Sequence, residues 1–369
     1  MDEERVRLAE KVQALSDIEL AILLCLVTNQ HCIIETDESL VSAVEYELDT
    51  VVSDVFGLTC SVLHCSEKTT LDEFGTGILV PEGKEDYFST RDKRPKDDDL
   101  SSYSGSPRLS RRSPRPFKPF IPLDGRRIAN VVIAVNLNEA DHQVQIQALE
   151  LIRGKRNFTR TAVHAAPKPF LFVALNLNGS IRLTTHLNDH MFIYHRHQAG
   201  DALPYAEDQL RAPVTDDTKS TSSVVRSPRF TPDKKGYSSV AFSEDDINTL
   251  TAQAGEVRMS SEVRAYLHNI VVFMRLHRAV AGGISPLATR HLTILSQALA
   301  PLHGLSYVSP PLVDLATRKI YPHRIVITTA ENERSMQWGS SLEAVRAILE
   351  GVTPEDVIEE VLQSVETPL

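Results

Sequence analysis

The segment Val131–Ile152, VVIAVNLNEADHQVQIQALELI, constrains the fold of this 369-residue chain more than any other. Its first five residues are all apolar and read as a buried strand. A short turn follows, and from His142 the apolar residues recur at amphipathic-helix spacing. A buried strand feeding directly into a helix belongs to an α/β domain.

The neighbouring segments fit the same plan. Ser16-Asp17-Ile18-Glu19 has the pattern of a capping box, opening a strongly apolar helix over Asp17–Thr28. His31–Glu35 and Leu58–His64 are rich in β-branched residues and predict buried strands. Between them Leu40, Val41, Val44, Leu48, Val51, Val52 and Val55 form a helical stripe, completing a strand–helix–strand unit. A hairpin is expected at Asn157–His164, a strand at Pro169–Asn176 and a short apolar run at His190–His195. From Ser260 the chain reads as helical: Val263–Leu276, Ser285–Leu299, a shorter helix after Ser309, and a last one at Pro354–Ser364 capped by Thr353.

Two stretches break the pattern. Lys84–Arg127 and, more mildly, Asp201–Gly236 are dense in Ser, Pro and charge. They have too little apolar surface to offset the entropy of ordering, which predicts disorder. The expected division is 1–83 and 129–200 as two halves of an α/β core, with a disordered insertion at 84–128. A disordered loop at 201–245, a helical lid at 246–330 and a helical tail at 331–369 complete it.

Composition narrows the setting. A formal net charge of −10 argues against nucleic acid as a general partner of the whole chain. The acidic, helix-patterned N-terminus is not expected to be a leader peptide, and no apolar run reaches the ~18 residues of a membrane span. The expected location is the cytoplasm, with the nucleus as alternative. Cys25, Cys32, Cys60 and Cys65 are expected as reduced thiols.

Three blocks resemble one known family. Leu137-Asn138-Glu139-Ala140 with Gln145, Leu149 and Glu150 resembles the Walker B strand and helix of the MoxR and magnesium-chelatase AAA+ ATPases. Pro169–Phe192 is similar to the sensor-1 strand of those families and the loop after it. Gly282–Ile325 is similar to their lid, with Gly-Gly, Ser-Pro, His-Gly, Tyr-Val and His-Arg at coherent intervals. The resemblance implies an AAA+-like parallel sheet flanked by helices, an α-helical lid and an ATP–Mg²⁺ site.

Position by position, that site is altered. A P-loop uses glycine amides and a lysine to hold phosphates, yet the matching junction is Glu35-Thr36-Asp37-Glu38-Ser39, with neither. Carboxylates there oppose a triphosphate by about 4 kcal/mol per close pair at an effective dielectric of ~20. Val135 and Asn136 stand where Walker B places its two acids, and neither can serve as a base. Asn176 and Asn178 flank the sensor-1 position. His190 matches the arginine finger and Leu287 the lid arginine, with Arg290 one turn on as a substitute. Gly75-Thr76-Gly77, Gly83-Lys84 and Gly154-Lys155 fail the P-loop spacing.

The resemblance therefore implies a magnesium chelatase/MoxR-like protein that is catalytically inactive, binds neither ATP nor Mg²⁺, and acts as a binding or assembly module. Its partner would be another AAA+ subunit or a von Willebrand A-type domain protein. The alternative is an active AAA+ ATPase of magnesium-chelatase type that uses ATP and Mg²⁺ through non-standard residues. No other metal is expected. His31-Cys32 with Cys60, His64 and Cys65 reads as buried thiols on neighbouring strands, and His186, His190, His195 and His197 as polar residues at a strand end. His195 and His197 nonetheless share one face by their spacing of two. Ser106, Ser113, Ser227 and Thr231, each before proline in the two loops, are candidate phosphorylation sites.

Overall fold

A computed structural model describes residues 2–81, 125–160, 162–201, 203–206 and 242–368. The four candidate phosphorylation sites lie outside these residues. In the first half, α1 (Asp2–Gln13) and α2 (Asp17–Thr28) precede strand β1 (Cys32–Thr36). A 3₁₀ turn at Glu38–Leu40 and α3 (Val41–Thr50) follow, with a π turn at Val51–Val55. Next come β2 (Cys60–His64), α4 (Leu71–Gly77), β3 (Leu79–Pro81), β4 (Arg126–Ile128) and β5 (Val131–Val135). The core closes with α5 (His142–Gly154), the hairpin β6 (Arg156–Phe158) and β7 (Val163–Ala165), β8 (Leu171–Leu177), α6 (Thr185–His190) and β9 (Ile193–Arg196).

The main sheet is parallel, in the order β2-β5-β8-β1-β9. Its strands are apolar on both faces because both are covered. Ile34, Ile133, Val135, Val173 and Leu175 point into one core, shared with α2, α3 and the helices that follow β9. Ile33, Val132, Ala134, Phe172 and Ala174 point into the other, against Phe74 of α4 and Val144, Ala148 and Leu151 of α5. Each buried Val, Leu, Ile or Phe among them contributes about 1.5–3 kcal/mol relative to exposure, and each Ala less.

The segment expected to form a lid holds α7 (Glu244–Glu256), α8 (Ser261–Leu276), β10 (Val280–Gly282), α9 (Pro286–Leu302), α10 (Pro310–Ile320) and β11 (Val326–Ile327). The tail holds α11 (Leu342–Leu349) and α12 (Pro354–Ser364). The first core runs without a break through Leu267, Leu292, Val313 and Ile320, so lid and sheet share one apolar interior.

The expected capping boxes form: Ser16 closes on Glu19 at the start of α2, and Thr353 on Asp356 at the start of α12. Three expectations change. Arg126–Ile128, placed in an insertion, is a strand pairing antiparallel with β3. Helicity begins at Glu244, not Ser260, because Ser243 and Asp246 form a further capping box. Strands β1 and β2 are not neighbours: β5 and β8 lie between them. Among the described residues, no helix is long and apolar enough to cross a membrane.

Candidate functional site

In an open parallel sheet the ligand crevice lies beyond the carboxyl ends of the strands, where the strand order reverses. Here that point flanks β1, between β8 and β9. The chain turns there very tightly. Thr36 ends β1 and Glu38 already begins the 3₁₀ turn, so Asp37 alone joins them. Asp37, Glu38 and Ser39 are exposed, whereas Thr36 is buried with its hydroxyl unpartnered among the described residues. Asn178 closes the junction: its amide donates to Thr36 O at 2.8 Å and its Nδ2 to Asp37 Oδ1 at 3.2 Å.

The next row continues across the sheet. Glu35 lies opposite Asn176 on one side and Arg196 on the other. Its Oε2 accepts from the Tyr194 hydroxyl at 2.8 Å. Burial raises the pKa of Glu35, opposed by that hydrogen bond and by Arg182 and Arg196. Val135 is 3% exposed and packs in the core, facing away from the crevice. Asn136 takes the left-handed conformation, φ 55°, ψ 40°, which asparagine tolerates better than most side chains. Its amide donates to Leu175 O at 2.8 Å. The side-chain oxygens of Asn136, Asn138 and Asn176 are buried without hydrogen-bond partners among the described residues. Such atoms cost about 1–3 kcal/mol each when left dry, so this end of the sheet is polar and stressed.

Other motif residues hold the scaffold. Gln145 donates to Ala140 O at 3.1 Å and accepts from the Thr184 amide at 2.9 Å, tying the turn after β5 to the start of α6. Gly75 and Gly77 lie within α4, and Gly154 ends α5; neither pair forms a phosphate loop.

The lid–core seam is built differently. Arg324 is 3% exposed, and both of its terminal nitrogens are engaged. Its Nη1 donates to Ile320 O at 2.6 Å. Its Nη2 donates to Asp189 O at 3.1 Å, to His291 Nδ1 at 2.8 Å and to Met191 O. Asp189 Oδ1 lies 3.5 Å from Nε and accepts from Ser285 Oγ at 2.6 Å. Burial lowers the Arg324 pKa to about 10, opposed by Asp189, so it stays charged at neutral pH. Burial and Arg324 push His291 down to about 3, leaving it a neutral acceptor. Asn188 Nδ2 and Arg182 Nη1 add bonds to His323 O at 2.7 Å and Ile325 O at 2.6 Å. Gly283 sits at φ 99°, where an added Cβ would meet Arg324 O at 1.9 Å. Asp189, Ser285, His291 and Arg324 were missed as a unit by sequence reasoning, since nothing local links positions 96 and 135 residues apart. The lid motif itself carried the signal.

His190 lies on α6 beside this seam. Burial, with Arg153, holds its pKa below the ordinary value. Leu287 is half-buried in the first turn of α9 and Arg290 is exposed on the same helix.

Elsewhere, His31 is buried between Phe172 and Lys155. The Phe172 amide donates to Nδ1 at 3.0 Å, and Lys155 Nζ lies 3.0 Å from Nε2. Burial lowers the pKa of His31 and takes Lys155 to about 8. A neutral His31 accepting at Nδ1 carries its proton on Nε2, the nitrogen that faces Lys155 Nζ. The cysteine–histidine group does not assemble, because β1 and β2 are separated in the sheet. All four cysteines are free thiols.

The histidines after β9 do converge. Ring nitrogens of His195 and His197 and a carboxylate oxygen of Asp201 lie within 4.8 Å of one another. His195 is drawn down to about 4 by burial and Lys319, and burial lowers His197 as well.

Residues 272–346 match the family model of the AAA lid domain. The whole structure is similar to the crystal structure of a candidate ATPase from Cytophaga hutchinsonii. The TM-score is 0.63 at 14% identity, covering 100% of this chain and 98% of that one.

The chain carries an AAA lid domain match beside a five-stranded parallel sheet.

Curated proteins similar to this chain include Maintenance of telomere capping protein 2 of Saccharomyces cerevisiae (strain RM11-1a). It is 25% identical over 175 residues, 46% of this chain and 47% of the yeast protein. The protein of the same name from Lachancea thermotolerans is 28% identical over 113 residues, 29% of this chain and 40% of that protein. The chain thus spans about half the length, or less, of the curated relatives it matches.

Proposed function

We propose that this chain is an AAA+ protein of the MoxR and magnesium-chelatase kind that works as a binding or assembly module and does not hydrolyse ATP. One observation carries the proposal: a single residue, Asp37, joins β1 to the 3₁₀ turn. A P-loop needs a run of residues whose amides wrap the phosphates. The junction has no room for one, and Asp37 and Glu38 are exposed where the phosphates would lie. Val135 faces the core, so it offers nothing to Mg²⁺. Asn136 is used to turn the chain out of β5. The residues present do not fit a magnesium nucleotide, and no catalytic step is derived through one.

The partner we propose is another AAA+ subunit or a protein with a von Willebrand A-type domain. The name of the yeast relatives suggests telomere capping as the setting, and with it a nuclear as well as a cytoplasmic location. Two measurements test this. Phosphate release from ATP with Mg²⁺ should stay at the level of buffer alone. The intact chain, used as bait, should still retain its partner after Asp37→Asn, since the bound surface does not depend on nucleotide. Turnover above background that falls with Asn136→Ala would instead favour an active ATPase of magnesium-chelatase type.

A further inference from the structure

The group at the end of β9 is a candidate site of a different kind. Among the described residues it is the only set of three or more His, Cys, Asp or Glu side chains placed to share an ion. The two histidines are held by the sheet. His195 pairs in register with Ile34 of β1, and the amide of His197 donates to Glu35 O at 2.8 Å. Their spacing of two puts both rings on one face, with centroids 6.3 Å apart. His195 is 4% exposed and His197 2%, yet among the described residues His195 Nε2 and His197 Nδ1 have no hydrogen-bond partner. Two buried imidazoles, each with an unpartnered nitrogen, are rarely left side by side in a folded protein.

The third group comes from a closed turn. The Asp201 amide donates to Gln198 O at 3.0 Å, and the Gln198 amide donates to Asp201 Oδ2 at 2.8 Å. That turn sets Asp201 Oδ2 3.9 Å from His197 Nδ1, with the carboxylate at the surface. Donors on one tetrahedral ion with bonds of ~2.0–2.1 Å sit roughly 3.4 Å apart. Closing the set to that spacing takes shifts on the order of 1 Å, within reach of the exposed Asp201 side chain.

We infer that His195, His197 and Asp201 bind a divalent transition metal, Zn²⁺ being the best match to two imidazoles and one carboxylate. The softer cations that demand thiolate and the harder ones that demand all-oxygen shells suit this set less well. Three protein ligands leave one position open to water. Other charges face the group from the elements packed on it: Asp17 at the start of α2 favours a cation and Lys319 of α10 opposes it. The ion would tie β9 to the turn that follows, beside the contact with the lid helix α10. It does not depend on whether the β1 junction binds nucleotide.

The test uses the full chain, stripped of metal by chelator. Zn²⁺ is titrated by calorimetry and Co²⁺ by visible absorption, in the native chain, in Asp201→Asn and in the double variant His195→Gln, His197→Gln. The expected result is one equivalent bound, with intense four-coordinate Co²⁺ bands and no thiolate charge-transfer band. Affinity should fall by about tenfold or more in Asp201→Asn and be lost in the double variant. Asp201 is exposed, so that variant reports on the site even if the double variant folds poorly. Absence of binding, a thiolate band, or affinity unchanged by Asp201→Asn would each overturn the assignment.

Discussion

The crevice at β1 and the seam at Arg324 are both polar, but they are finished to different degrees. Around Thr36, Asn136, Asn138 and Asn176 several buried oxygens lack partners among the described residues. Around Arg324, Nη1 and Nη2 donate to three carbonyls and one imidazole and Asp189 balances the charge, although Arg324 Nε, His323 Nδ1 and the Tyr321 hydroxyl lack hydrogen-bond partners among the described residues. The core motif that resembles a catalytic segment now shapes a turn. The lid motif, read as a family signature, is a set of hydrogen bonds fixing the lid to the sheet. On the proposed reading a motif persists for packing without its chemistry, and only the partners of each atom distinguish the two.

The seam should therefore be the most sensitive place in the molecule. Gly283→Ala should have the largest effect. Its φ of 99° is strained for any side chain, and Arg324 O stands 1.9 Å from the new Cβ. We expect a loss on the order of 4 kcal/mol or more, read from urea unfolding. Arg324→Ala should follow at about 3–4 kcal/mol, because it leaves Asp189 and three carbonyls facing a buried gap. If either change costs less than 1 kcal/mol, the seam is not the anchor described here.

Acid should act on the same seam. Folded His291 titrates at about 3, against an ordinary 6.5. Between those values the unfolded chain holds more protons, so its contribution is complete above pH 6.5 and declines as pH falls toward 3. At pH 5 the loss from this one group is about 2 kcal/mol. A flat stability profile from pH 7 to pH 5 would contradict it.

A smaller effect is expected away from both regions. Lys155 has its pKa lowered to about 8 by burial, so protonation disfavours the folded state and stability rises with pH from about 8 to 10.5. Lys155→Met should stabilise the chain at pH 7 by about 1 kcal/mol, allowing for its partial exposure to solvent. Destabilisation would show that its contacts with His31 and the Phe170 ring outweigh the burial of charge.

The contrast also marks what a linear sequence conveys. Helix α12 was legible because its cap, its first-turn proline and its stripe lie within a dozen residues. So was α2. Helix α7 was not, because only Ile247 and Leu250 of its thirteen residues are buried, too few to stand out beside a polar loop. The adjacency of β1 and β2 was misjudged because parallel strand order is set by long crossovers, which leave no local pattern. The period of two placed His195 and His197 on one face, but Asp201 joins them through a turn that periodicity does not describe. The unusual β1 junction was visible as missing glycine and lysine. Its tightness, one residue between strand and turn, needed the structure.

The most direct test of the central claim is nucleotide binding by the intact chain, followed by thermal unfolding with ATP and Mg²⁺. The account predicts no shift in unfolding temperature at millimolar ATP. Saturable binding tighter than ~100 μM, with the stabilisation of about 1.4 kcal/mol that mass action then requires at 1 mM ligand, would contradict it.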